Sequence, residues 1–414
     1  MTDAESAALE AATDELVAEN PSLATGPAGA NWGAVWALGI GVASLSTSEM
    51  LPVSLLTPMA HDLGVSEGVA GQSVTVSAIV AVLTSVLLAP AIGRLDRRRL
   101  LLALSFLQIV SNLVVALAPN IGVVLGVRVL LGVAVGGFWG MSSALALRLA
   151  PRADVPKALA IIFGGGSVAA IVATPLGAYF GGVRGWRGVF YGVAALALVA
   201  FVTQWRTLPA MPVATRTSIA GLGHVLRVPM VALGMVGVLL VFGGRQTLVT
   251  YLRPFLETIT RLDYSGVSLA LLILGVGVFI GNTFFAARLL NRNLHLTMAG
   301  LSLLMAVLGG LLLAVGANPI ATGAIILVWG IATGITTVGW TTWLTRVVPD
   351  KAESGGGILV ATIQVAIMIG SAVGGIAIDN FGALAPAVIS ALALLAGAVH
   401  CWFVLADHAE PITR

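Results

Sequence analysis

Beyond residue 31 the chain is written in long apolar blocks, separated by short clusters of Pro, Gly and charge. A helix rises about 1.5 Å per residue, so about 20 apolar residues cross a hydrocarbon layer of about 30 Å. Cut at its polar punctuation, the chain yields twelve such spans, with predicted starts near residues 32, 70, 99, 122, 157, 187, 229, 264, 294, 319, 354 and 382. Residues 1–30 break this pattern: six acids, no Lys or Arg, then "NPSLATGPAGAN". They read as an acidic, disordered cytoplasmic tail, and with no basic stretch ahead of an apolar one, no cleaved signal is expected.

Composition settles the class. Of 414 residues 58% are hydrophobic and only 9% charged, with 50 glycines and a mean hydropathy of +1.02. Soluble domains carry roughly a quarter charged residues, so the expected fold is an all-α integral membrane protein. A lone cysteine, Cys401, excludes an intrachain disulfide framework. The five histidines have no metal-ligand spacing, and "FGGGS" (163–167) lies inside a span with no following Lys, so it is no phosphate loop. Neither metal nor other cofactor is implied, and an enzyme is weakly supported.

The net charge of +3 is explained by placement, and nucleic acid is not needed as a partner. With the amino terminus inside, fifteen of the 21 basic residues face the cytoplasm and only Arg184, Arg187, Arg253 and Arg261 face outward. The positive-inside rule then puts both termini in the cytoplasm. Arg128 and Arg245 fall within spans. The longest cytoplasmic connection, within 205–229, divides the spans six and six. The expected organisation is tail 1–30, first half 31–208, linker 209–228, second half 229–405 and carboxyl-terminal tail 406–414.

Sliding one half over the other at an offset of 198 aligns Arg94 with Arg292, Gly132 with Gly330, Gly136 with Gly334, Arg148 with Arg346, Pro151 with Pro349 and Gly177 with Gly375. Six pairs in matching context indicate duplication. Two homologous six-helix halves joined by a cytoplasmic loop resemble the major facilitator architecture, in which substrate binds midway between halves that rock.

Local motifs extend the likeness. The loop after span two, "GRLDRRRLL", resembles the facilitator signature that latches the halves, with Gly93, Asp96, Arg97 and Arg99 in those roles and the usual second glycine absent. The arginines alone would also serve as positive-inside anchors. In span four, Arg128, Gly132, Gly136, Trp139 and Ser143 share one face; an Arg there points to a cavity or a partner, or snorkels to the headgroups. Span five partly resembles the glycine-proline signature of proton antiporters, with Gly165 and Pro175 ten apart and Thr174 where glycine is usual.

Of 18 acids, only Glu49 lies clearly inside a span. A proton-coupled carrier needs a group that is charged in one facing state and neutral in another, and Glu49, in "STSEMLPVS", is the best carboxylate available. Counted from Trp32 it lies about 25 Å along a core of about 30 Å, so depth alone leaves open an ending at the outer interface. Pro52 offers a bend that aims the acid inward.

The blocks "SEMLPVSLLTPMAHDLGVSEGVAGQSVTV", "GVAVGGFWGMSSALALRLAP", "VPKALAIIFGGGSVA", "GWRGVF" and "TYLRPFLE" resemble the bacterial purine ribonucleoside efflux pumps, a branch of the twelve-span drug:proton antiporters of the major facilitator superfamily. The resemblance runs over all twelve spans and implies a monomeric inner-membrane carrier that exports inosine, guanosine, adenosine and analogues in exchange for protons. Sugar or chloramphenicol-like drug efflux is the nearest rival, and a solute sensor without transport is the rival from another class. A neutral nucleoside needs flat aromatic surfaces and a few hydrogen-bonding groups. By span assignment Trp139, Gln246, Asn282, Trp340 and Gln364 are candidates to face the cavity. Arg245 departs from the family pattern in carrying a charge, and either alters substrate preference or partners Glu49; Arg128 is the other candidate partner.

Overall fold

A computed structural model describes residues 31–92, 95–139, 141, 145, 148–151, 154–211, 228–348 and 352–404. The acidic segment 1–30, Gly93, residues 212–227 of the connection and the tail 406–414 lie outside the described residues.

Among the described residues, twelve helices are long and apolar enough to cross a membrane. They are α1 (Trp32–Ser54), α2 (Glu67–Ile92), α3 (Arg97–Leu117), α4 (Ile121–Trp139), α5 (Val155–Arg184), α6 (Trp186–Thr207), α7 (Pro229–Thr250), α8 (Tyr264–Ile280), α9 (Leu294–Val315), α10 (Pro319–Val347), α11 (Ala352–Phe381) and α12 (Ala385–Val404). α8 runs on through a π-helical turn, Gly281–Phe285, into Ala286–Arg292. Starts are marked by chemistry legible in the sequence. Asn31, Asp96, Asp263, Asn293 and Asn318 accept backbone N–H groups at the starts of α1, α3, α8, α9 and α10, and Pro229 and Pro319 stand in first turns, where no N–H is required. α1 contains Pro52, breaks at Leu55 and is followed by a short helix, Leu56–Leu63; α7 is likewise followed by Leu252–Thr258.

The halves are built alike. α4 packs on α2 through Gly132 and Gly136, and α10 packs on α8 through Gly330 and Gly334, the pairs matched at the 198-residue offset. A Cβ on Gly132 would lie 2.6 Å from the Ser77 carbonyl oxygen, and one on Gly330 2.5 Å from that of Leu274, so only glycine permits either approach. Such close contact matters because lipid tails are as apolar as the helix surfaces, leaving packing and hydrogen bonds to hold spans together. The α5–α6 and α11–α12 connections also correspond, turning on Gly185 (φ 80°) and Gly382 (φ 82°), a conformation that disfavours any Cβ.

Each half has its own apolar core, around Leu38, Leu101, Leu131 and Phe138 in the first and Phe242, Met298, Trp329 and Trp340 in the second. The halves meet along α2 with α11 and α5 with α8. Large exposed apolar side chains such as Phe106, Leu198, Phe284 and Phe403 form the outer surface. The two ends of the bundle are named below by Asp62, between α1 and α2, and Asp96, before α3.

Candidate functional site

α1 carries Ser44 and Ser48 one turn apart, and both face α3. Gln108 Nε2 donates to Ser44 Oγ (2.8 Å) and Ser48 Oγ (3.0 Å), Asn112 Nδ2 donates to Ser48 Oγ (2.9 Å), and Ser48 Oγ donates to the Ser44 carbonyl (3.0 Å). All four residues are buried. This polar seam fixes the rotation of α1, and with it the direction of the next residue, Glu49.

Arg128 enters from α4 and is only 1% exposed, so it does not snorkel to the surface. Its Nη1 donates to the Ser48 carbonyl (2.9 Å) and its guanidinium lies 5.4 Å from the centre of the Phe190 ring. Nε and Nη2 have no protein partner. Arg128 is near enough to act electrostatically on the Glu49 carboxylate, yet bonds the backbone beside it. Glu49 Oε1 instead accepts from Gln364 Nε2 of α11 at 3.3 Å. The carboxylate therefore sits between the halves, with a hydrogen bond from one and a cation in the other holding unused N–H groups.

The remaining expected site residues divide. Gln246 on α7 is buried and donates to Thr250 Oγ1 (2.9 Å), which adjoins Ser371 Oγ at 3.1 Å. Arg245 is half-buried; its Nη1 donates to Thr337 Oγ1 (3.2 Å) and its guanidinium lies 4.3 Å from the Phe242 ring centre. The structure thus brings Glu49 to Gln364 and Arg128, whereas Arg245 has α10 and its own helix as partners. Trp139 is half-buried against the first half's core. Trp340, expected on a cavity wall, is 0% exposed and fills the notch at Gly237 beside Trp343 (5.5 Å, edge-on). Asn282, expected to face the cavity, is exposed in the π-helical turn. Gly165 faces the backbone of Gly39 on α1, and α5 runs unbroken through Pro175.

At the Asp96 end, Asp96 caps α3 through the Arg98 N–H (2.7 Å) and accepts from the Met211 N–H (3.1 Å), while Arg97 N–H donates to the Met211 carbonyl (3.1 Å) and Arg98 Nη2 to the Trp205 carbonyl (2.7 Å). These bonds tie the loop to the chain leaving α6, within one half. Burial draws the nearby Arg148 guanidinium below its ordinary pKa, an effect that Asp96 opposes. Arg99 is exposed.

At the Asp62 end the halves are clamped. Asp379 of α11 accepts from Ser66 Oγ (2.7 Å) and the Gly68 N–H (2.9 Å), placing a carboxylate at the amino terminus of α2, where the helix dipole favours it. Arg253, expected on the outward side, is 3% exposed; it donates to the Ser54 carbonyl at the end of α1 and through Nε to Glu257 (2.8 Å). Ser268 Oγ donates to the Pro175 carbonyl at 2.8 Å. These bonds and Glu49–Gln364 are side-chain hydrogen bonds that join the halves. Asp379→Ala is expected to weaken the clamp by about 1–3 kcal/mol. A cysteine at Gln72, on the closed α2–α11 face, should then react severalfold faster with an impermeant thiol reagent applied from the Asp62 side.

The family described as Major Facilitator Superfamily matches residues 37–359. The purine ribonucleoside efflux pump NepI of Salmonella typhimurium is 42% identical over 367 residues, covering 89% of this chain and 92% of its own. That of Salmonella enteritidis is 42% identical over 372 residues, 90% and 94% of the two chains. Among solved structures, the nucleoside transporter NupG superposes with a TM-score of 0.71 at 17% identity, over 91% of this chain and 100% of that one. A D-xylose-proton symporter gives 0.69 at 18% identity, over 90% and 96%. At such identities the solved structures speak to fold. With its twelve spans, duplicated halves and family match across most of its length, the chain belongs to the Major Facilitator Superfamily.

Proposed function

We propose that this protein is a bacterial inner-membrane antiporter that exports purine ribonucleosides in exchange for protons. The substrate class rests on the likeness to the Salmonella pumps over nine-tenths of the chain. The observation that carries the mechanism is Glu49, which accepts from Gln364 of one half while Arg128 of the other bonds the backbone carbonyl of its neighbour Ser48. A neutral Glu49 keeps a hydrogen bond to Gln364 without leaving an ion in an apolar layer; an ionised Glu49 is drawn to Arg128, whose free N–H groups receive it. Proton binding and release thus favour different contacts across the two halves, which is what a coupled two-state device requires.

Orientation follows the basic residues, with the Asp96 end and both termini in the cytoplasm. The clamp at Asp379 and Arg253 then lies on the periplasmic side, where it ties α2 to α11 and the end of α1 to the chain following α7. The driving force is adequate: one proton moving down about 150 mV releases about 3.5 kcal/mol, enough for a few-hundredfold gradient of a neutral solute at about 1.4 kcal/mol per tenfold.

Inside-out vesicles test the substrate. Made acidic within, they are expected to accumulate labelled inosine; accumulation of chloramphenicol or xylose without inosine would overturn the assignment. Binding of inosine to purified protein, with neither net flux nor exchange in proteoliposomes, would instead make it a sensor.

A further inference from the structure

We propose that Arg245 selects among purines, favouring the 6-oxopurine nucleosides inosine and guanosine over adenosine. The inference rests on the nucleoside reading above and adds the residue that discriminates within it.

A charge inside a span is expensive, so it must meet a partner, a cavity or a ligand. Arg245 has no carboxylate within ion-pair distance among the described residues, unlike Arg187, paired with Asp62, and Arg253, paired with Glu257. Its one hydrogen-bonding partner among the described residues is the Thr337 hydroxyl, at Nη1. Nε and Nη2 are left for something else. Thr337 on α10 is itself exposed and donates to the Thr333 carbonyl (2.9 Å), so it serves Arg245 as an acceptor without neutralising it.

The placement fits a ligand between the halves. Val249, one turn further along α7 on the same face, packs with Val53, Val74 and Ala78 of the first half and Ile367 of α11. Arg245 therefore lies one helical turn from the apolar contact at which the halves meet. Phe242 lies 4.3 Å from the guanidinium, a cation–π contact on one face of the planar group.

The guanidinium presents only donors. Hypoxanthine and guanine offer two adjacent acceptors, O6 and N7, which a guanidinium fork satisfies together; adenine offers N7 beside an amino donor that opposes the fork. A phosphate monoester would also satisfy Arg245, but the apolar neighbours suit a base better than a hydrated dianion.

The test is transport by the full chain in acid-loaded inside-out vesicles, with labelled inosine, adenosine and purine riboside, which lacks the 6-oxygen. The wild type is expected to show an apparent KM about 5- to 100-fold lower for inosine than for the other two, the range a good bidentate pair provides. Arg245→Gln, whose amide matches the N7 and amino groups of adenine, should erase or reverse that ratio; Arg245→Lys, which keeps charge without the fork, should erase it. Equal wild-type KM values would overturn the inference while leaving nucleoside transport intact. So would an equal loss for every purine in Arg245→Gln, or tighter competition by inosine 5′-monophosphate than by inosine. Accumulation of none of the nucleosides would overturn both readings.

Discussion

Glu49→Gln is expected to reduce proton-driven accumulation of nucleoside from a few-hundredfold at about 150 mV to the level of exchange alone. The substitution keeps the shape of the side chain and an oxygen able to accept from Gln364 Nε2, which bonds Glu49 at 3.3 Å in the native protein. It removes the ability to ionise and so to be drawn to Arg128. Binding of inosine and exchange of labelled for unlabelled inosine should both persist, because neither requires the carboxylate to change charge. Glu49→Asp should retain partial coupling, since it can still ionise but reaches less far. Uptake with and without an imposed pH gradient checks the split; full coupling in Glu49→Gln would remove the acid from its proposed role.

Arg128→Ala is expected to do more damage, and of two kinds. It withdraws the charged donor from the Ser48 carbonyl and leaves that oxygen buried without its partner, a loss of about 1.5–3 kcal/mol. It also empties the space beside Phe190. Coupled transport should fall at least tenfold, since an ionised Glu49 would then lack its cation. Arg128→Lys separates the two effects. One ammonium can restore a charge and one hydrogen bond, but cannot hold the Ser48 carbonyl while also offering a fork to Glu49. The lysine variant should recover thermal stability ahead of coupling, measured as the unfolding midpoint in detergent and as gradient-driven uptake. Wild-type coupling in Arg128→Ala would contradict the mechanism.

The fold was legible in the sequence because its signals are local. Apolar length sets the spans, and the capping residues Asn31, Asp263, Asn293 and Asn318, with Pro229 and Pro319, mark where several begin. The duplicated glycines Gly132/Gly330 and Gly136/Gly334 carried the symmetry, because a Cβ at any of them would collide with the facing helix. Glu49 and Arg128 stood out as charges among apolar neighbours.

What escaped the reading depends on partners far along the chain. Ser44, Ser48, Gln108 and Asn112 are tolerated in any span, and only their meeting across α1 and α3 makes them a seam. The i, i+4 spacing within each pair was the available signal. Arg253 and Asp379 read as loop or span-end charges, yet they close the contact between halves, because the short helix Leu252–Thr258 carries Arg253 back to Ser54. Trp340 shows the converse: a Trp on a span can face a ligand or fill a glycine notch, and Gly237, about a hundred residues away, decides.

The central claim is obligatory exchange of proton for nucleoside, and lumenal pH reports it directly. Inside-out vesicles holding the protein and an acidic lumen are to be given inosine while a trapped dye follows lumenal pH. The account predicts that inosine alkalinises the lumen at once in vesicles carrying the wild-type protein, and that Glu49→Gln abolishes the response. Inosine entry with no change in lumenal pH, or an equal response from Glu49→Gln, would contradict it.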